Sequence, residues 1–182
     1  MVNLTLQFLD ENGRQLSNAN ISLQQIDTPF LFGVGPNAFR RLETLEYDKR
    51  FKGLFNSATL LFYRKQTEPK ESIYDWNRVD DILDWLKDKR IKAKGHPLIW
   101  PKQEQNPLWF NSKENFTEVK TKFLRYVKDA IKRYKGKIDT WDIINEAHDP
   151  QSAKYFTRPQ LLDLTKSAVE AAKSLDPNQR LL

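Results

Sequence analysis

The sequence predicts an α/β protein of parallel strands joined by crossover helices, and three observations carry that prediction. Short apolar runs alternate with longer segments whose apolar residues recur at helical spacing. The alternation repeats four times after residue 30. Hydrophobic residues make up 39% of the 182, enough for a sizeable buried core. A strand–helix–strand succession joins strands running the same way, since a tight hairpin connects only antiparallel neighbours.

The first segment differs. Val2, Leu4, Leu6 and Phe8 alternate with polar residues, Asp10-Glu-Asn-Gly13 is a turn signal, and Ile21 and Leu23 resume the alternation. This predicts a hairpin-like appendage over 1–28, followed by a main domain over 29–182. Within that domain Phe30–Gly35 reads as a short buried strand. Phe39, Leu42, Leu45 and Phe51 then mark a helix. Phe55–Phe62 is the second strand, and Val79, Ile82, Leu83 and Leu86 are the next helical stripe. Ile91–Trp100 is the third strand. The longest stripe follows: Phe116, Val119, Phe123, Val127, Ala130, Ile131 and Tyr134. Ile138–Ala147 is the fourth strand. Thr157-Arg-Pro159 opens a last helix with Thr157 as its cap, and Arg180-Leu-Leu182 begins a fifth strand. A doubly wound sheet and an eightfold barrel both start this way, and secondary structure alone does not separate them.

Composition removes several functions. No apolar run approaches the ~20 residues of a membrane helix, and the N-terminus shows no signal peptide. With no cysteine there are no disulfides and no thiolate metal site. The net charge is +6, but the basic residues are interspersed with acids, as in 84–90, which reads as a solvated surface and not a nucleic-acid footprint. Phosphate-loop, dinucleotide, zinc-protease and serine-hydrolase motifs are missing, and two histidines do not make a histidine-rich metal site. No cofactor and no metal are expected.

In both candidate folds the active site lies at the carboxyl ends of the strands. The residues there are Asn37, Tyr63–Lys65, His96–Gln103 and Asn145–Asp149. Glu146 ends an apolar strand next to a Trp-containing run. Partial desolvation there would suit a general acid, although a polar residue opening a loop explains it equally well. His96 reads alone as a structural histidine. Trp100 and Trp109 are either core aromatics or platforms for a sugar ring. Together, amide, imidazole, indole and carboxylate at strand ends form the inventory of a carbohydrate site.

Two segments carry a resemblance. Gly95-His-Pro-Leu-Ile-Trp-Pro-Lys-Gln103 through Pro107-Leu-Trp-Phe110 resembles the Gly-His-x-Leu-Val-Trp-His-x-Gln…Pro-x-Trp segment of family 10 glycoside hydrolases. Trp141-Asp-Ile-Ile-Asn-Glu-Ala147 resembles their Trp-Asp-Val-Val-Asn-Glu-Ala. Phe55-Asn-Ser-Ala-Thr59, Thr67-Glu-Pro69 and Asp176-Pro-Asn178 resemble flanking motifs in the same order. The resemblance implies a (β/α)8 TIM barrel, of which this chain holds about the first four β/α units. It implies retaining hydrolysis of a β-1,4-linked polysaccharide such as xylan. Glu146 would be the general acid/base, Asn145 a contact to the hydroxyl beside the anomeric carbon, and His96, Trp100 and Gln103 the lining of the same subsite.

The chain departs from the family pattern in three places. Leu60-Leu-Phe-Tyr-Arg-Lys-Gln66 replaces the usual Glu-Asn-x-Met-Lys-Trp, with Tyr63 and Arg64 where Lys and Trp would fall. Pro101 stands where the second histidine would be. The Thr-Glu-x-Asp context of the family's nucleophile has no match, since Thr67-Glu68 and Thr117-Glu118 both continue differently. The expected partners are therefore a polysaccharide or oligosaccharide and the C-terminal half of a barrel, with no nucleic acid and no membrane. A fragment is favoured over a naturally shortened homologue. The alternative is a non-catalytic carbohydrate-binding homologue or a truncated, inactive fragment, and this chain on its own is expected to be incomplete and inactive. Secretion is expected from the resemblance alone.

Overall fold

The computed structural model describes residues 5–26, 28–35, 44–87 and 89–182. They form two units, Met1–Phe30 and Leu31–Leu182. In the first, the Asp10 carboxylate accepts from the backbone N–H groups of Asn12 (2.9 Å) and Arg14 (2.8 Å), and Gly13 takes φ +79°. Leu9 bridges Gln15 in antiparallel fashion, and Leu16 N–H donates to Phe8 O. The turn is thus where the sequence places it, but the expected return strand at Ile21 and Leu23 does not form. The chain pairs immediately after the turn, and Asn18 at φ 61° then redirects it. Val2 and Leu4 lie outside the described residues.

The second unit holds a parallel five-stranded sheet in the order β1-β2-β3-β4-β5: Gly33–Val34, Ser57–Leu61, Lys92–His96, Thr140–Trp141 and Arg180–Leu181. Its helices are α1 (Leu45–Leu54), α2 (Arg64–Thr67), α3 (Asn77–Leu86), α4 (Phe116–Tyr134) and α5 (Arg158–Leu175). Every strand and helix expected in this unit is present, but the strands are shorter than the apolar runs suggested, and β1, expected to be buried, is exposed as an edge strand paired only with β2 among the described residues. The start of the expected helix at Phe39 and Leu42 lies outside the described residues. The four-residue α2 has no periodicity long enough to be read from sequence.

Alternation along the strands divides the sheet faces. Ala58 and Leu60 of β2, Ala93 and Gly95 of β3 and Trp141 of β4 are buried. Ser57, Thr59 and Leu61, with Lys92, Lys94 and His96, fall on the opposite, more accessible side. The helices bury complementary stripes: Val79, Ile82 and Leu86 of α3, then Val119, Phe123, Tyr126, Val127, Ala130, Ile131 and Tyr134 of α4. Phe62 sits at the centre of this layer, its ring 4.6 Å from that of Trp141 and 5.3 Å from that of Tyr134. Side-chain caps at Thr44, Asn115 and Thr157 start α1, α4 and α5, and Thr157 and Gln160 form a complete capping box.

Gly95 is required by packing. A Cβ there would lie 2.3 Å from the Trp141 ring, which is fully buried. Gly95→Ala is expected to cost about 1–3 kcal/mol through displacement of that ring. Denaturant unfolding checks this, and an unchanged midpoint would show that the ring can move freely.

Candidate active site at the ends of β3 and β4

The β3–β4 ladder continues beyond both strands. Leu98 N–H donates to Asp142 O (3.0 Å), Ile99 N–H to Ile143 O (2.9 Å), and Asn145 N–H to Ile99 O (2.8 Å). A parallel bridge joins Ile99 to Ile144. These bonds carry two chain ends out of the sheet side by side, bringing residues 46 apart in sequence into contact.

The first contact is His96 with Asp142. Nδ1 and Oδ2 are 2.8 Å apart, and Lys94 Nζ is 3.5 Å from the same oxygen. Burial opposes ionisation of Asp142, but the His96 hydrogen bond and the Lys94 charge outweigh it and hold the carboxyl below its ordinary range. A carboxylate only accepts, so Nδ1 donates and Nε2 is the nitrogen available to a ligand.

The second contact centres on Glu146. Its Oε2 accepts from the Trp100 indole N–H (3.1 Å) and from Lys102 Nζ (2.6 Å). Lys102 also donates to Asp149 Oδ2 (2.9 Å). The indole beside this partly buried carboxylate is that of Trp100 and not of Trp141. Trp141 points into the core, while the Glu146 side chain is 40% exposed and ion-paired. Glu146 also has φ 51°, a left-handed conformation few side-chain-bearing residues adopt. Its carbonyl is held there by Asp149 N–H (3.0 Å) and Ser152 Oγ (2.9 Å).

Tyr63 joins the group, its ring 5.5 Å from Trp100 and 6.3 Å from His96. Asn145 lies half-buried next to Glu146. Gln103 is drawn into its own loop: its Nε2 donates to Phe110 O (2.6 Å), and its Oε1 accepts from Ser112 N–H and Oγ (both 2.8 Å). Arg64, expected beside Tyr63 at the strand end, is instead buried at 3% exposure behind it. Its guanidinium lies 4.8 Å from the Trp109 ring centre and 4.5 Å from that of Phe110. Trp109 therefore serves the packing around Arg64 and donates its indole N–H to Glu68 O. Asn37 is outside the described residues. Among the described residues no cluster of His, Cys, Asp and Glu could hold a metal ion.

Asp142 was missed by sequence reasoning, and Lys102, although within the strand-end segment His96–Gln103, was given no role. Asp142 could have been found from register: Gly95 pairs with Trp141, so the next residue of each strand, His96 and Asp142, shares a face. No comparable signal marks Lys102.

Five parallel strands in sequential order, interleaved with helices and with carboxylates after β4, are the architecture of part of a β/α barrel. The chain belongs to glycosyl hydrolase family 10, whose model matches residues 27–182. It is 29% identical over 173 residues to an endo-1,4-beta-xylanase 5-like protein of Arabidopsis thaliana, covering 94% of this chain and 30% of that protein. It is 26% identical over 188 residues to a beta-1,4-xylanase of Dictyoglomus thermophilum, covering 100% and 51%. The structure resembles a family 10 xylanase of Thermobacillus composti with TM-score 0.66 and 25% identity, over 84% of this chain and 45% of that one. The chain thus spans about half, or less, of the length of these proteins.

Proposed function

We propose that this chain is the part of a retaining glycoside hydrolase that carries the general acid/base, acting outside the cell on a β-1,4-linked polysaccharide such as xylan. The carrying observation is the Glu146 carboxylate, fixed at the end of β4 and bonded across to Trp100 at the end of β3, in a chain of family 10. In this reading Glu146 donates its proton to the glycosidic oxygen as the bond to the anomeric carbon breaks. It later takes a proton from the water that attacks the glycosyl-enzyme. Asn145 bonds the hydroxyl beside the anomeric carbon. His96 presents Nε2 to the same sugar, its other nitrogen fixed by Asp142. Trp100, extended by Tyr63, offers an aromatic wall to the ring. Gln103 shapes the subsite by bracing the 103–112 loop.

The attacking carboxylate is proposed to come from outside these 182 residues. The other acids that follow β4 are engaged, Asp142 by His96 and Lys94, Asp149 by Lys102 and the backbone of Gln151. One observation favours a second reading: the Lys102 ammonium is bonded to Glu146 Oε2 in a salt bridge, which suits sugar binding without turnover. Reducing-sugar release from xylan by the intact protein, alongside calorimetry with xylo-oligosaccharides, separates the two. Hydrolysis supports the enzyme. Binding with no release at any protein concentration supports the second reading, and neither sinks both.

A further inference from the structure

Lys102 lies in the segment the sequence read as substrate-lining, yet its side chain is turned away from solvent, at 7% residue exposure. Its backbone is locked in a tight turn. Lys102 N–H donates to Trp100 O (2.8 Å), and the Asn106 amide donates to both Trp100 O (2.9 Å) and Lys102 O (2.7 Å). From this fixed base the ammonium reaches Glu146 and Asp149 and lies 5.7 Å from the Trp100 ring centre. Glu146 and then Asp149 hold it above the ordinary lysine value. Asp149 is held in turn below its ordinary range, first by the Gln151 N–H and then by Lys102.

Other charges around this triad are few. Glu104, from the turn Gln103–Gln105, is bonded to Tyr155 (3.0 Å), with Lys154 and, more weakly, Lys102 itself acting on it without a direct bond. His148 acts on Asp149 from the loop after β4. Two carboxylates and one ammonium give the triad a charge of −1, and protonating Glu146 takes it to zero. Lys102 then keeps Asp149 as its counter-ion. Were Asp149 not there, the same protonation would strand a buried ammonium without an ionic partner, an outcome folded proteins avoid.

We propose that Lys102 is a positioning residue that acts through Glu146, holding its carboxylate ionised and oriented between turnovers, with Asp149 as the anchor to which the ammonium withdraws when Glu146 takes up a proton. This rests on the acid/base reading of Glu146. The two anchors make opposite demands on the pH profile. Lys102→Met removes the cation that opposes protonation, so the alkaline limb of kcat/KM moves up by about one pH unit. Asp149→Asn leaves the cation to Glu146 alone, so the limb moves down by about as much.

The test compares kcat/KM profiles on xylan for the intact protein and for Lys102→Met, Lys102→Arg and Asp149→Asn. Opposite displacements, with Lys102→Arg returning the limb towards wild type, support the proposal. A limb that stays put in Lys102→Met, or moves the same way in both variants, overturns it. A second measurement does not need turnover: the Lys102 side chain is titrated by carbon-13 NMR in wild type and Glu146→Gln. A lower Lys102 midpoint in the variant supports the proposal even if no sugar is released, in which case the hydrolase reading alone fails. An unchanged midpoint overturns the triad in an active enzyme too.

Discussion

Glu146→Gln in the intact protein is expected to lower kcat on a polymeric substrate by ~10²–10⁴-fold, the usual worth of a positioned general acid. The substitution preserves shape, and the amide oxygen can still accept from the Trp100 indole and from Lys102, as the carboxylate does at 3.1 Å and 2.6 Å. What it removes is the exchangeable proton. A sugar alkoxide leaves very slowly unless protonated, whereas a nitrophenolate needs little help. The first step should therefore slow greatly with xylan and only slightly with an aryl glycoside, read as the pre-steady-state burst of phenol. Equal losses on both substrates would mean that the substitution has disturbed the left-handed loop at φ 51° and not the proton transfer. An unchanged rate on xylan would sink the acid/base assignment outright.

The parts of this molecule that sequence revealed are those set by periodicity and local chemistry. The α4 stripe from Phe116 to Tyr134 turns its apolar side to the core as its spacing requires, and Thr157 caps α5 because hydroxyl, Pro159 and Gln160 stand in the positions a helix start demands. That His96, Trp100, Asn145 and Glu146 come together follows from parallel strands placing their carboxyl ends side by side, while their roles rest on the resemblance. The rest depended on contacts that no local pattern encodes. Lys102 is one of 30 basic residues, and nothing in its neighbours distinguishes a buried ammonium from a solvated one. Arg64 was expected at the strand end, yet α2 rotates it behind β2 into a ring of aromatics contributed by residues as far along the chain as Tyr126. Gln103 matches the family motif, but Ser112 and Phe110 occupy its amide. Ile21 and Leu23 alternate correctly but lie 50% and 75% exposed, because alternation predicts a strand only where a partner edge exists.

Glu68→Gln is expected to destabilise the protein by about 3–5 kcal/mol, the cost of breaking a buried ion pair from one side. Glu68 is fully buried. Its carboxylate accepts from Arg64 Nε (2.6 Å), Arg125 Nη2 (2.8 Å) and Ser72 N–H (2.9 Å). Arg64 has no route to solvent, and its two terminal nitrogens are buried with no hydrogen-bond partner among the described residues. Burial presses its pKa down and Glu68 opposes this, so the carboxylate is what makes a charged guanidinium tolerable there. The faces of Trp109 and Phe110 contribute further, through cation–π attraction that is strongest when desolvated. Neutralising Glu68 keeps the packing but leaves this cation with an amide oxygen and aromatic faces, and with no counter-charge from residue 68. The same reasoning makes the double variant Arg64→Met with Glu68→Leu milder than Glu68→Gln, because the buried charges of Arg64 and Glu68 leave together while Arg125 keeps Glu71 as its counter-ion. Denaturant unfolding of the three proteins decides the matter. If the double variant is as unstable as Glu68→Gln, the loss lies in packing and not in a stranded charge. The consequence reaches the site, since Trp109 donates to the Glu68 carbonyl and Gln103 is tied to Phe110 O. The loop that carries Lys102 and Trp100 is thus braced on one side by Arg64 and its counter-ion. Loosening that brace should weaken oligosaccharide binding in Glu68→Gln even at temperatures where the protein remains folded.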